Sequence, residues 1–329
     1  MIRRAALLIA AIPCAVWLVL TGGLALAYTG DFAILGDREI RDQNGREIRV
    51  TEPFDRIISL YGAHTENLFS LGLDSEIIGV SRSEFYPPEA LTRPVFSYHD
   101  DPERFLAARP DLVLIRPMID RGYFQLVNRL EKSGITVVSL QPSTAGEIFR
   151  YWRILGILTG RLETAEAMID RFSSAIAEIR SVTEPISDKR RVYFEAIGSR
   201  MKTFSPDSVA IFALTVAGGI NVADDAEPSR GTNVANYGKE RILAHAGEID
   251  VYLAQHGTMN RPTVESIQTE PGFSIIKAVR EGEIRIVDEA VVARPTLRLL
   301  EGIWSIGRAL YPDRFGPALR KTVTEAING

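Results

Sequence analysis

Cysteine is almost absent from this 329-residue chain: the single thiol is Cys14, inside an apolar run from Ala5 to Ala27. The remainder of the chain therefore forms no disulfide, no cysteine-ligated metal site and no thiol nucleophile, and packing must stabilise it. Nucleotide-binding and hydrolase signatures are missing too. There is no Walker A loop, no GxGxxG, no GxSxG elbow and no HExxH. The four histidines, His64, His99, His245 and His256, do not pair at metal-ligand spacing on one helix. Charge is modest at −4, which argues against a nucleic-acid partner. No constellation supports an enzyme.

What is present is an exported globular chain. Arg3 and Arg4 precede the apolar run, and Ala25-Leu26-Ala27 is an A-x-A cleavage pattern. Residues 1–27 are read as a secretory signal whose length also suits an uncleaved anchor. Pro13 stands where a lipid-anchored Cys14 would need a small residue. The composition, 46% apolar and 24% charged, is ordinary for a folded protein.

Beyond the signal, Asn44-Gly45 sits between alternating segments in residues 37–50, a hairpin pattern. Strands are expected at 56–60, 76–81, 111–115 and 136–140, with helices between them, the first of these opening after a short YGAHT loop. Apolar strands alternating with helices imply an α/β fold with a parallel sheet covered on both faces. Thr144 and Glu147 fit a capping box. Ala165, Met168, Ile169, Phe172, Ile176 and Ile179 fall at helical spacing in a helix from Thr164 to Thr183, ended by Pro185. At about 30 Å it is long enough to bridge two lobes. After it the pattern restarts with a strand at 191–197 and a helix capped by Ser205 with Pro206 in its first turn. Glu103-Arg104-Phe105-Leu106-Ala107 and Glu240-Arg241-Ile242-Leu243-Ala244 open equivalent helices that lead into strands. The chain is read as two lobes of related topology: 28–160, the linking helix 161–185, and 186–329.

Taken together, RDQNGREIRVTEPFDRIISL, ENLFSLGLDSEIIGVS, EFYPPEA, DPERFLAARPDLVLI and VVARPTLRLLEGIWSIGRALYP resemble the periplasmic binding proteins of iron-siderophore, haem and cobalamin ABC importers. The resemblance spans about residues 40–312. It implies two Rossmann-like α/β lobes joined by one rigid helix, a ligand cleft between them, little motion on binding and no catalysis. It implies that an importer permease and its ATPase are the partners, with Glu103 and Glu240 docking on permease arginines. Helix N-termini favour acids in any case, but both echo segments carry the glutamate at the same place. The chain is expected to act as a monomer in the periplasm or cell envelope, free or membrane-anchored. A membrane-tethered sensor or scaffold with the same fold is the competing class.

Ligands of open α/β sheets meet loops at the carboxyl ends of strands. That rule selects Tyr61, His64, Arg82, Tyr86, Tyr98, Arg116 and Met118 in the first lobe. It selects Met201, Lys202, Arg230, Tyr237, His256, Met259 and Arg294 in the second. A lone Tyr or His at such a position is also a common core or rim residue. The set is aromatic and basic. Rings offer flat area to a chelate and arginines pair with anionic groups. No resident cofactor or protein-bound metal is expected; the ligand expected first is a ferric siderophore, then a corrinoid, then haem. Tyr86 and Tyr98 match aromatic positions of the haem and cobalamin binders. Trp152 and Trp304 are read as structural.

Overall fold

The computed structural model describes residues 31–229 and 232–329. Residues 1–27, expected to be a secretory signal, and Arg230 lie outside the described residues.

The described residues open with three short antiparallel strands, β1 Ala33–Gly36, β2 Glu39–Arg41 and β3 Glu47–Arg49, in that order. The expected Asn44-Gly45 turn joins β2 to β3, with Gly45 at φ 83°, a conformation that needs glycine.

The first lobe follows: β4 Ile57–Ser59, α1 Gly62–Ser70, β5 Ile77–Ser81, β6 Val95–Phe96, α2 Pro102–Ala108, β7 Leu112–Ile115, α3 Pro117–Gly122, α4 Phe124–Lys132, β8 Thr136–Ser139 and α5 Ile148–Thr159. Its five strands are all parallel, in the order β6-β5-β4-β7-β8. Leu112–Ile115 is buried along its whole length, as a strand covered on both faces requires. Helix α1 begins at Gly62, earlier than the sequence suggested, so His64 and Thr65 lie inside it rather than in a loop.

Gly160, at φ 67°, ends α5 and turns the chain at once into α6, Leu162–Thr183. The second lobe contains β9 Arg191–Ile197, β10 Lys202–Phe204, α7 Val209–Val216, β11 Ile220–Asn221, β12 Glu227–Pro228, β13 Val234–Asn236, α8 Lys239–Ala244, β14 Val251–His256, α9 Val264–Gln268, α10 Lys277–Arg280, β15 Ile284–Asp288, α11 Glu289–Val292, α12 Leu299–Leu310 and α13 Pro317–Asn328. Its sheet runs β12-β13-β10-β9-β14-β15, with β11 also on β9. Ser205 is not the cap of α7. Its amide still bonds Asn233 beside β13, so the chain turns once more before Ser208 caps the helix by accepting from the Ile211 amide at 3.3 Å.

The long helix is not a bare rod. One apolar cluster runs unbroken from Leu112 and Trp152 through Met168 and Phe172 of α6 to Phe194, Leu214 and Ile303. The outer face of each sheet has its own smaller cluster. The lobes therefore share a core on the helix side and part on the other. A stiff, packed hinge of this kind limits how far they can move.

Candidate functional site

In the first sheet the strand order reverses between β4 and β7, and the crevice at such a reversal is where open α/β sheets receive ligands. Tyr61 follows β4 and Arg116 follows β7. The Arg116 guanidinium lies 4.6 Å from the centre of the Tyr61 ring. Burial pushes the Tyr61 phenol above its ordinary pKa, and Arg116 and Arg294 oppose that shift.

From this point a cleft of about 1250 Å³ opens between the lobes. Arg116, Met118 and Arg121 line it on one side; Arg200, Lys202 and Met259 line it on the other. Amides and hydroxyls cover much of the rest, among them Gln43, Asn44, Ser139, Gln141, Asn233 and Asn236. The β2–β3 turn had no place among the sequence-selected residues, yet it forms part of the wall. Asp42, fully buried, accepts from the Asn44, Arg46 and Ser139 amides at 2.9 Å each. Arg46 reaches from the turn to Asp120 at 2.6 and 2.7 Å. Burial works against the Arg46 charge, but Asp120 and Asp42 outweigh it and hold the guanidinium above its ordinary pKa. The Gln43 side chain then donates to the Gln141 carbonyl and accepts from its amide, at 3.0 and 2.5 Å. The only advance signal was the Asn-Gly turn itself, which carries no information about what it leans on.

The charge balance of the cleft is uneven. Its three acids already have partners within the first lobe: Asp31 with Arg150, Asp120 with Arg46, and Glu147 with the Ser143 and Thr144 amides. Among the described residues, none of Arg116, Arg121, Arg200 and Lys202 is ion-paired. Four cations drawn from both lobes thus face the same space.

Behind Tyr61 the two lobes are fastened together. Glu66 of α1, almost wholly buried, receives Arg294 at 3.0 Å and Arg298 at 3.4 Å from the segment between α11 and α12. Burial pushes its carboxyl pKa up, and the two guanidiniums oppose this. The Pro295 carbonyl accepts from both the Asn67 amide and the Trp152 indole at 3.0 Å. Trp152 is therefore structural, as expected. Phe85 and Tyr86 lie against the outer sides of Arg294 and Arg298, at 4.4 and 4.1 Å. Arg294 is thus committed to Glu66 and does not line the cleft.

The structure corrects other candidates as well. His64 is fully buried, its Nδ1 2.7 Å from the Tyr151 hydroxyl and its Nε2 3.1 Å from the Ile115 carbonyl, so no ligand reaches it. Burial lowers its pKa to about 3. Tyr237 belongs to the outer core of the second lobe, packed on Tyr193 and covered by Arg241. Burial pushes its phenol up to about 12. Met201 packs against that same core. Tyr98 joins His99 and Tyr123 in an aromatic trio with ring centres 4.5–5.0 Å apart, outside the cleft lining. Arg82 and His256 are exposed at the ends of β5 and β14. Of the residues selected from sequence, Arg116, Met118, Lys202 and Met259 line the cleft, and Tyr61 supports Arg116. Glu103 and Glu240 are exposed in the first turns of α2 and α8, and Arg129 reaches Glu103 at 3.0 Å.

Residues 57–291 match the model of a family described as periplasmic binding protein. The chain belongs to the periplasmic binding protein family. It is 24% identical over 84% of its length, and 86% of the relative's, to a protein of Bacillus subtilis named uncharacterized ABC transporter substrate-binding lipoprotein YvrC. It is 27% identical over 82% of its length, and 73% of the relative's, to a cobalamin-binding protein of Halobacterium salinarum. A structure from Staphylococcus epidermidis, titled a possible iron-binding (periplasmic solute-binding) protein, superposes with a TM-score of 0.69 at 25% identity, covering 79% of this chain and all of that one. Family membership agrees with the two lobes and the cleft between them. Among the described residues no helix is long and apolar enough to cross a membrane, and no group of three or more His, Asp or Glu side chains could hold a metal ion.

Proposed function

We propose that this periplasmic binding protein captures an anionic metal chelate, with a ferric siderophore first in order, outside the cytoplasm and delivers it to an ABC importer. The observation that carries the reading is the set of four unpaired cations, two from each lobe, on a cleft whose acids are already engaged. Arginine in such a site matches the planar oxygen pairs of catecholate or carboxylate groups. The volume exceeds the range of about 300–1,000 Å³ usual for drug-sized ligands, which suits a bulky chelate. The metal would arrive as cargo, held by the chelator. Delivery would use Glu103 and Glu240 as the two orienting contacts on the permease. The name of the B. subtilis relative supports an ABC importer as the partner.

A corrinoid is the second reading. The Gln43, Asn44, Gln141, Asn233 and Asn236 amides complement a ligand rich in primary amides, and the Halobacterium relative is named for cobalamin. Calorimetric titration with a synthetic ferric tris-catecholate, haemin and cyanocobalamin separates the readings. The expected result is tightest binding of the ferric chelate, weakened at least about tenfold by Arg116→Ala or Lys202→Ala, since a charge-assisted contact contributes about 1.5–3 kcal/mol. Binding of cyanocobalamin alone, indifferent to both substitutions, overturns the first reading.

A further inference from the structure

The second-lobe wall of the cleft stands on a buried carboxylate that does not itself line the cleft. Glu195 lies in β9 with 4% of its surface exposed. A carboxylate so placed is costly unless its oxygens are satisfied. Here one oxygen accepts from the Tyr252 hydroxyl at 2.6 Å and the other from the Asn260 amide group at 2.8 Å. Asn260, itself buried, is a junction. Its side-chain oxygen accepts from the Gly198 backbone at 3.0 Å, its amide group also donates to the Gln255 carbonyl at 3.0 Å, and its own carbonyl accepts from Gly257 at 2.8 Å.

Two loops are joined by this arrangement. One, between β9 and β10, presents Arg200 and leads into Lys202 at the start of β10. The other, after β14, presents Met259, whose amide is fixed separately by Glu289 at 3.2 Å. A Cβ on Gly198 would fall 2.7 Å from a Glu195 oxygen, so only glycine lets the first loop lie this close to the carboxylate.

We propose that Glu195, acting through Asn260, is a positioning residue: it fixes the two cation-bearing and thioether-bearing loops of the second lobe and thereby sets affinity for the ligand. This rests on the reading of the cleft as an anionic-chelate site. The loops would be held open-site ready before binding, so that ordering them does not subtract from affinity.

The test uses Asn260→Ala and the volume-conserving Glu195→Gln in the full-length mature protein. Amide hydrogen exchange without ligand should accelerate in Asn260→Ala at Gly198, which loses its acceptor, and at Gly257, whose acceptor is no longer anchored, and leave the first lobe unchanged. Affinity for the ferric tris-catecholate should fall about tenfold in Asn260→Ala and less in Glu195→Gln, which keeps an acceptor for Asn260. In an Arg200→Ala/Lys202→Ala background the further loss from Asn260→Ala should shrink below about twofold, because the loop then has nothing left to position. A merely structural role would give additive losses, and additivity overturns the proposal. Unchanged exchange at both loops overturns it as well. If the wild-type protein binds no anionic chelate, the proposed function fails, and loop exchange alone decides the positioning role in either direction.

Discussion

Acid should destabilise this protein through one histidine. The Ile115 carbonyl can only accept, so the His64 Nε2 beside it carries the hydrogen, and Nδ1 is left as the acceptor of the Tyr151 hydroxyl. A second proton would have to enter at Nδ1, against that hydroxyl and in a site with no solvent exposure. Burial is the main reason its pKa falls to about 3. In the unfolded chain the ordinary value is about 6.5. Between these two values the unfolded state binds a proton that the folded state refuses, so stability rises with pH across that window and falls as pH is lowered through it. The loss grows by about 1.4 kcal/mol per pH unit below about 6.5 and reaches roughly 3 kcal/mol at pH 4. That is a large part of a typical folding stability of about 5–15 kcal/mol. Urea unfolding of the wild type and His64→Gln at pH 7, 6, 5 and 4 measures it. Carboxylates titrate in both proteins and cancel in the difference, which should change by about 3 kcal/mol across the series. A difference that stays flat within about 0.5 kcal/mol refutes the assignment of that acid sensitivity to His64.

Three further outcomes are expected. Glu66→Gln leaves two guanidiniums beside a neutral amide and should cost about 3 kcal/mol, since breaking a buried pair by removing one partner costs about 3–5 kcal/mol; an unchanged urea midpoint would show that the fastener is idle. Gly307→Ala in α12 places a methyl 2.0 Å from the buried Phe315 ring, and overpacking of about 1–3 kcal/mol should outweigh the helix propensity gained, lowering the melting temperature rather than raising it. Glu103→Ala with Glu240→Ala should leave chelate affinity intact and abolish uptake in cells, because the Arg129 contact that is lost is a surface ion pair worth about 0–1 kcal/mol; normal uptake would remove both residues from the docking surface.

The architecture was legible because it is written in short-range patterns. Alternation of apolar strands with helices, the Asn44-Gly45 turn and the spacing of Met168, Phe172 and Ile179 each depend only on neighbours in the chain, and each is present as read. The rule of strand ends also selected Arg116, Met118 and Lys202, which line the cleft. It could not tell which way a side chain turns. His64 and Tyr237 stand at comparable places and are core groups, because α1 starts at Gly62 and points the imidazole at Tyr151, and because Arg241 closes over the Tyr237 ring.

Sequence by itself thus determined two α/β lobes and the long helix between them; of the aromatic and basic cleft it suggested, the lining carries the basic residues and, among the described residues, no aromatic ring. Tertiary structure alone decided that Arg294 is spent on Glu66, 228 positions away, that the β2–β3 turn walls the site through Arg46 and Asp120, and that Glu195 and Asn260 support the opposite wall. The reason is physical: charge pairing and burial depend on distances between residues remote in the chain, and no local pattern of residues encodes those distances.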